Sequence, residues 1–362
     1  MNEIDLLKRV RDDVPPADPV ALARARQRVL TPSPVRRFVG RRRVLVAGAV
    51  AATLAVGFLV NDVVIKDGAT KPGAVADAST FLANAAELTN ANPDAPIPPG
   101  QYRQVTQRSQ GTWRFGPHNS YVGTRLDVSN WWISADQKPP YTATSVLSAK
   151  KEFSSPAART LWNKLDPLNI KPEMIKSPYV CGVGTNGGYL MLQKKDGKNI
   201  CTPSWLMPSP DFLARLPRDP DKLLTALRHD GTPTKTRGQT PESLNLEAFD
   251  RVATVLASGI APADLRAALY QAARKIPGIQ LQADAVNLDG KSGLAIGLVE
   301  FLGVRKDLII DPGTGQFLGL REVATVTGPL NGDGDPQALV RGDVVSWTSV
   351  SSRITPNRPV VR

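Results

Sequence analysis

One uncharged apolar run constrains this chain more than any other feature of its sequence. Residues 44–60 read VLVAGAVAATLAVGFLV, and five arginines lie just before them. At about 1.5 Å rise per residue, a helix of this length reaches roughly 26 Å, slightly less than the hydrocarbon core of a bilayer at about 30 Å. The apolar residues 63–65 and snorkelling by Lys66 extend the span. The run therefore predicts a transmembrane helix over 44–65.

The arginine cluster predicts the orientation of this helix, because basic flanking residues stay on the cytoplasmic side. Residues 1–43 hold 11 basic and 5 acidic side chains, whereas the much longer remainder is nearly balanced. We therefore expect a single-pass signal-anchor protein of the cell membrane, with a cytoplasmic tail and an extracytoplasmic C-terminal part. The membrane-flanking basic residues are Arg36, Arg37, Arg41, Arg42 and Arg43.

Two other interpretations of the apolar run are less favoured. A cleaved export signal has a much shorter charged region than the 43 residues found here, although Arg41-Arg42-Arg43 loosely resembles a twin-arginine signal. The Ala74-Val75-Ala76 triplet lies too far beyond the run for a usual cleavage site. A buried soluble helix needs an unusually enclosing core beside five arginines. The uncleaved anchor is the favoured interpretation.

The cytoplasmic tail contains two short amphipathic patterns, over residues 2–14 and 18–30, separated by Pro15-Pro16. Helices of this length are marginal in water, so they need a surface to pack against. Either the lipid surface or a partner protein provides it, and residues 1–30 are the candidate partner site. Nucleic-acid binding is not expected, because Phe38 is the tail's only aromatic residue and no zinc-finger spacing is present.

Both cysteines of the chain, Cys181 and Cys201, fall on the predicted outer side. In an oxidising compartment, such a pair around a hairpin-like segment predicts one disulfide, which would contribute on the order of 3 kcal/mol. Two free buried thiols are the alternative. A metal site is not expected, because the two histidines are distant in sequence and four ligands are normally needed.

The outer part of the chain predicts an α+β fold, in which an antiparallel sheet and helices are segregated. After a polar linker over 66–75, residues 76–88 have helical spacing, and an alternating pattern begins at Gln101. Helices are expected at 210–216, 220–229, 244–258 and 262–276. Strands are expected at 279–285, 293–302, 304–310, 316–327 and 343–350. We place the outer domain at 76–355, with a division into two subdomains near 205–240 as an option.

The sequence predicts no catalytic, cofactor or metal site. None of the common nucleophile, zinc-protease or phosphate-loop motifs is present. His118 lies in a predicted turn, and His229 is explained as the C-terminal residue of a helix. The segment Asn331–Asp335 resembles a calcium loop only faintly, because the closing glutamate is missing. We therefore expect a non-enzymatic protein.

Several segments resemble a family of bacterial single-pass membrane proteins of unknown function. They are Asp5-Leu6-Leu7 to Arg11, Val14 to Pro19, Ala23 to Arg26, Leu265 to Tyr270, Ile276 to Ile279, Leu308 to Gly315 and Leu318-Gly319. Members are often encoded beside extracytoplasmic-function sigma factors, which implies a regulatory role similar to that of a membrane anti-sigma factor. The zinc-binding pattern of such factors is absent, since residues 1–43 contain no histidine or cysteine. The outer domain is also loosely similar to the lipoprotein-carrier and periplasmic sigma-regulator fold.

Two functions are consistent with these observations. In the first, the outer domain binds or senses an apolar ligand or a protein, and the tail acts on a sigma factor or another cytoplasmic protein. In the second, the chain is an envelope carrier of lipid or lipoprotein, whose curved sheet and helices enclose an apolar cavity. Cavity size and core packing distinguish these two functions.

Overall fold

The computed structural model describes residues 72–116, 120–136, 141–165, 173–183, 189–191, 193–195, 198–200, 202–229, 240–300, 303–329 and 338–356. Among these residues, no helix is both long enough and apolar enough to span a bilayer. The apolar run 44–60, the tail 1–43 and its arginine cluster lie outside the described residues. The membrane anchor, its orientation and the tail helices therefore stay predictions.

The described strands form one large antiparallel sheet that accounts for the predicted α+β class. Its order is β5-β4-β3-β2-β1-β14-β11-β10-β9-β8, with β13 paired to β1 and to β12, while β6 and β7 form a separate hairpin. The strands are β1 Tyr102–Phe115, β2 Tyr121–Ser134, β3 Tyr141–Phe153, β4 Glu173–Val183, β5 Tyr189–Met191, β6 Gln193–Lys195, β7 Lys198–Ile200, β8 Gln280–Val286, β9 Ser292–Val299, β10 Val304–Ile310, β11 Phe317–Ala324, β12 Gly328–Pro329, β13 Ala338–Leu339 and β14 Val344–Thr355.

The sheet consists of two meanders joined by the last strand. Strands β1 to β5 follow one another on one side, and β8 to β11 follow one another on the other side. Strand β14 lies between them, since Tyr102 of β1 pairs with Thr355 and Arg321 of β11 pairs with Trp347. The alternating patterns predicted both meanders, and the structure extends the last strand from Val350 to Thr355.

Six helices are described, and most begin at residues that the sequence marks as helix starts. They are α1 Pro72–Ala91, α2 Pro156–Leu165, α3 Pro210–Ala214, α4 Pro220–Arg228, α5 Pro241–Ala257 and α6 Ala263–Ala273. Ser209, Asp219 and Thr240 cap α3, α4 and α5 through side-chain oxygens that accept backbone N–H bonds, and a proline follows each cap. His229 is the C-cap residue of α4, as predicted.

The main core lies between one face of the sheet, which we call the inner face, and helices α1, α5 and α6. Leu82 of α1, Leu256 of α5 and Leu269 of α6 are fully or almost fully buried in one cluster with Leu308 and Ile310 of β10. The alternate residues of β10 point to the opposite, outer face. The helices are thus all packed on one side of this part of the sheet.

The outer face of the second meander is also buried, because this part of the sheet curls on itself. The indole N–H of Trp347 in β14 donates to the carbonyl oxygen of Val286 at 2.8 Å, and the Asn287 amide donates to that of Leu318 at 2.8 Å. These contacts join the edge strand β8 to strands that are not its neighbours in the sheet. Strands β8 to β11 and β14 therefore enclose a small second core, which contains Ala285, Ala295, Ile309 and Leu318.

A charged cluster lies inside this second core. Asp307 is fully buried and accepts hydrogen bonds from Arg305 at 2.7 and 3.1 Å and from Arg321 at 2.9 and 3.1 Å. Its register partner in β9 is Gly297, where an added Cβ would lie 2.4 Å from the Asp307 carboxylate. The glycine thus leaves the space that the carboxylate and its two guanidinium partners occupy.

The turn Asp311–Gly315 joins β10 and β11 and fixes α1 to α6. The carbonyl oxygen of Gly315 accepts hydrogen bonds from the Thr89 hydroxyl of α1 and the Tyr270 hydroxyl of α6, both at 3.0 Å. Burial raises the pKa of Tyr270, so its hydroxyl remains a donor. Gly315 has a φ of +71°, and a Cβ there would lie 2.3 Å from the carbonyl oxygen of Ala85. Glycine is therefore required both by the backbone conformation and by the close approach of α1.

We expect Gly315→Ala to lower the free energy of unfolding by about 2–4 kcal/mol, because the methyl group strains a left-handed backbone and also pushes α1 outward. Gly290→Ala is the matched control, since Gly290 has a φ of +79° but nothing within 4 Å of its Cβ position. In the control, the free energy of unfolding should fall by only about 1–2 kcal/mol, since only the backbone is strained there. Urea unfolding followed by circular dichroism measures both. Equal losses would contradict the assigned contact with α1.

Candidate functional site

A cavity of about 400 Å³ lies on the inner face of the sheet, at the end of helix α5. Its floor is formed by β2, β14 and the start of β11, and its apolar lining is Ile97, Ile133, Leu256, Ile260, Phe317 and Val350. Two arginines and two aspartates, Arg103, Arg266, Asp94 and Asp264, supply its charged groups. The lining is thus about equally polar and apolar, and ligand sites of proteins combine apolar walls with polar groups that orient the ligand.

One wall of the cavity is the segment that connects α1 to β1, residues 92–100, which we call the crossing segment. Its sequence, NPDAPIPPG, contains four prolines, which can neither continue α1 nor donate to a neighbouring strand. The Asn92 side chain donates to the carbonyl oxygen of Leu88 at 2.8 Å, where α1 ends. The chain then passes beside the cavity, with Ile97 among the residues that line it.

The opposite wall is the connection between α5 and α6, which lies directly on the sheet. Gly259 has a φ of +68°, and a Cβ there would lie 2.5 Å from the Val105 side chain and 2.9 Å from that of Val350. The Gln107 amide of β1 donates to the carbonyl oxygen of Ala257 at 3.2 Å. Glycine and this hydrogen bond bring the end of α5 onto β1 and β14, so the cavity forms beside that contact.

Two arginines hold the crossing segment in place. Arg266 of α6 binds both carboxylate oxygens of Asp94, at 2.9 and 3.1 Å, and also donates to the carbonyl oxygen of Ala261 at 2.7 Å. Arg103 of β1 donates to the carbonyl oxygen of Ala95 at 2.6 Å. The Arg266 side chain is 17% exposed and that of Asp94 is 34% exposed. The pair therefore lies near the surface, where solvent weakens it.

The cavity is also lined by the first residues of α6, Ala263 and Asp264. The N-cap residue, Pro262, provides no side-chain hydrogen bond to the helix. Asp264 is engaged by Arg218 at 2.6 Å. The N–H groups and the dipole at a helix N-terminus favour a negative charge nearby. Asp264 already supplies such a charge in the first turn of α6, and Arg103 and Arg266 balance the two aspartates of the lining.

The geometry shows no arrangement for catalysis at this cavity. It is lined by no histidine, cysteine or lysine, so a nucleophile with an adjacent base is not present among its lining residues. Within the described ranges, no group of three histidine, cysteine, aspartate or glutamate residues could hold a metal ion. His118 lies outside those ranges. That the protein is not an enzyme and has no cofactor stays a prediction.

The remaining predicted site residues are placed only in part. Cys181 lies in β4, and Cys201 lies outside the described residues, as does the turn 331–335. The disulfide therefore stays a prediction. The first meander also contains three tryptophans. Trp131 is fully buried in the main core, Trp132 is 8% exposed, and Trp113 packs against Trp162 of α2 with ring centroids 4.9 Å apart.

A second charged cluster lies between α5 and the sheet, away from the cavity lining. The ammonium group of Lys306 lies 2.6 Å from Asp250, 2.6 Å from Glu300 and 3.5 Å from Glu322. Burial raises the pKa of Glu300 to about 7, with Lys306 lowering it and Asp250 raising it further. Glu300 therefore exchanges its proton near neutral pH.

This pKa makes stability depend on pH in a definite direction. Between the ordinary glutamate pKa and about 7, the folded chain binds more protons than the unfolded chain, so this group's contribution to stability falls as pH rises. We expect the unfolding free energy of the unmodified chain to fall by about 1–3 kcal/mol more than that of Glu300→Gln between pH 5 and pH 8. Glu87→Gln, at an exposed position of α1, should keep the unmodified slope. Urea midpoints at several pH values test this, and parallel curves for Glu300→Gln would contradict it.

Sequence reasoning missed the cavity, although it identified the elements around it. The sequence alone assigns no function to the Pro-rich stretch 92–100, and Arg266 stands only within the family-like segment Leu265 to Tyr270. The relevant signal is an aspartate within a proline-rich connection, since such a segment cannot pair its backbone in a sheet and needs side-chain contacts to hold it. Which arginine it meets depends on the tertiary fold.

Comparison of the chain with protein-family models, with curated proteins and with solved structures finds no match in any of the three. The interpretation of the cavity therefore rests on its own geometry and charge.

Proposed function

We propose that this chain is a membrane-anchored, non-enzymatic binding protein, whose outer domain holds a small ligand in the cavity beside the crossing segment. The observation that carries this proposal is the cavity itself. Its volume of about 400 Å³ lies within the usual range of small-molecule sites, and apolar walls meet a few fixed polar groups there. The anchor over 44–65 and the extracytoplasmic placement of the domain are parts of the same proposal.

Core packing supports a small ligand rather than a bulky lipid. Leu265, Leu269 and Tyr270 of α6 are fully buried, as are Val252 and Val255 of α5. The space between these helices and the sheet is therefore filled by side chains. A carrier of a lipid with several acyl chains needs a wider opening between the helices and the sheet. This packing therefore supports a sensor of a small ligand more than it supports a lipoprotein carrier.

Photolabelling tests the ligand site in native membranes. An octanol that carries a diazirine is applied to the full-length chain, and the labelled peptides are mapped by mass spectrometry. We expect saturable labelling in residues 93–97 and 256–266. Ile97→Trp should reduce this labelling about tenfold, because a large side chain at the wall fills the apolar space.

Val326→Trp is the matched control, since Val326 is an exposed apolar residue outside the cavity lining. It should leave the labelling at 93–97 and 256–266 unchanged. Labelling that does not saturate, or that Ile97→Trp and Val326→Trp affect equally, would overturn the proposed ligand site.

The regulatory form of the proposal assigns the tail to a sigma factor. Its support is the pair of amphipathic patterns within residues 1–30 and the resemblance to proteins encoded beside extracytoplasmic-function sigma factors. The apolar stripe of the first pattern includes Leu7 and Val10, whose helical spacing places them on one side.

Crosslinking from the tail tests this form. In membranes that contain the full-length chain, we expect a sigma factor to crosslink to residues 1–30. Replacing both Leu7 and Val10 by aspartate should abolish the crosslink, because it removes the apolar face. Replacing Lys8 and Arg11 by glutamine is the control that leaves that face intact. If the unmodified tail crosslinks to no sigma factor, the regulatory form is ruled out. The proposal of a ligand site in the outer domain does not depend on this result.

A further inference from the structure

The ion pair between Asp94 and Arg266 joins a segment without regular secondary structure to a rigid helix. Arg266 is fixed independently of Asp94, because its Nη1 also donates to the carbonyl oxygen of Ala261 at 2.7 Å. Asp94 is carried by the proline-rich crossing segment and is the more exposed partner. The Arg266 guanidinium is thus held at the cavity by helix α6 and by the Ala261 carbonyl oxygen. The Asp94 carboxylate belongs to a segment that has no regular secondary structure.

Arg266 also retains binding capacity. Among the described residues, its Nε–H has no hydrogen-bond partner, although that atom is buried. A buried donor without a partner is unfavourable, and an anion at the cavity could satisfy it. An arginine offers its N–H groups in a planar fork that suits carboxylate and phosphate oxygens, so the unpaired Nε–H points to an oxyanion.

The remaining charges around the cavity favour the same kind of group. Asp264 is neutralised by Arg218, and the first turn of α6 has no side-chain cap. If the Asp94 carboxylate moves away, Arg266 loses its carboxylate partner, and the only other acidic residue of the lining is Asp264, which is bound by Arg218. The adjacent floor is apolar, with Ile133, Phe317 and Val350.

We propose that the ligand is a small anionic amphiphile, whose carboxylate or phosphate replaces the Asp94 carboxylate on Arg266 while its apolar chain lies on the sheet floor. This inference rests on the proposed ligand site. Asp94 acts as an internal substitute for the ligand's anionic group and occupies Arg266 while the cavity is empty. Because a partly exposed ion pair contributes little free energy, an anion with an additional apolar chain displaces it readily.

The decisive test uses the two partners of the ion pair, because competition requires them to have opposite effects. Full-length chain in membranes is labelled with diazirine forms of octanoate, octyl phosphate and octanol, and half-saturating concentrations are compared. Arg266→Gln should weaken octanoate binding about tenfold or more, since charge-assisted hydrogen bonds are lost, and should leave octanol binding unchanged. Asp94→Asn should strengthen octanoate binding about three- to fivefold, because the competing carboxylate is gone.

Asp289→Asn is the matched control, since Asp289 forms an ion pair with Arg108 away from the cavity. It should leave the half-saturating concentrations of all three probes unchanged. A merely structural ion pair would make Arg266→Gln and Asp94→Asn weaken binding of every probe alike, and that result would overturn the inference. Binding of octanoate and octyl phosphate no tighter than that of octanol by the unmodified chain would also overturn it and leave the ligand site standing.

If none of the three probes gives saturable labelling, the proposed ligand site is overturned.

The two anionic probes distinguish a carboxylate from a phosphate as the ligand's anionic group. Tighter binding of octanoate identifies a fatty carboxylate, and tighter binding of octyl phosphate identifies a phosphate headgroup. Both results support displacement of Asp94. Circular dichroism of each variant confirms that the fold is retained, and Asp94→Asn provides the test if Arg266→Gln alters it.

Discussion

The pairing of β14 with β1 and β11 joins the first described strand of the chain to the last, and the rest of the fold is built on it. Each meander can form from local hairpins, but the continuous sheet requires Tyr102 to meet Thr355 and Arg321 to meet Trp347. Closing such a long stretch of chain costs conformational entropy that only the complete core repays. The inner face of β14 then provides Val350 as the contact for Gly259 and as part of the cavity floor.

Glycines set the distance between the helical layer and this sheet. Gly259 allows the end of α5 to touch β1 and β14, and Gly315 allows α1 to approach the turn between β10 and β11. The carbonyl oxygen of Gly315 then links Thr89 of α1 with Tyr270 of α6. Both ends of the helical layer are therefore fixed to the sheet, and the cavity lies between this layer, the sheet and the crossing segment.

Local patterns predicted many elements of this fold, whereas their assembly depends on contacts between distant residues. The predicted strand 304–310 matches β10 to the residue, but α5 begins at Pro241 rather than at 244, and α1 begins at Pro72, inside the predicted linker 66–75. Nothing local indicates that β14 lies between two meanders. Likewise, Asp94 and Arg266 are an ordinary acidic and an ordinary basic residue in sequence. Only the placement of α6 against the end of α1 makes them a pair.

In the proposed function, the crossing segment would link the ligand site to the predicted anchor by a short covalent route. Residues 92–100 follow directly after α1, and α1 begins at Pro72, only a few residues beyond the predicted anchor at 44–65. An α-helix is a stiff rod, and one of this length extends about 30 Å. In the proposed function, displacement of Asp94 from Arg266 would therefore act at one end of a rigid element whose other end leads to the predicted anchor. A sensor needs this kind of link between its ligand and its tail, whereas a carrier that only stores its cargo does not.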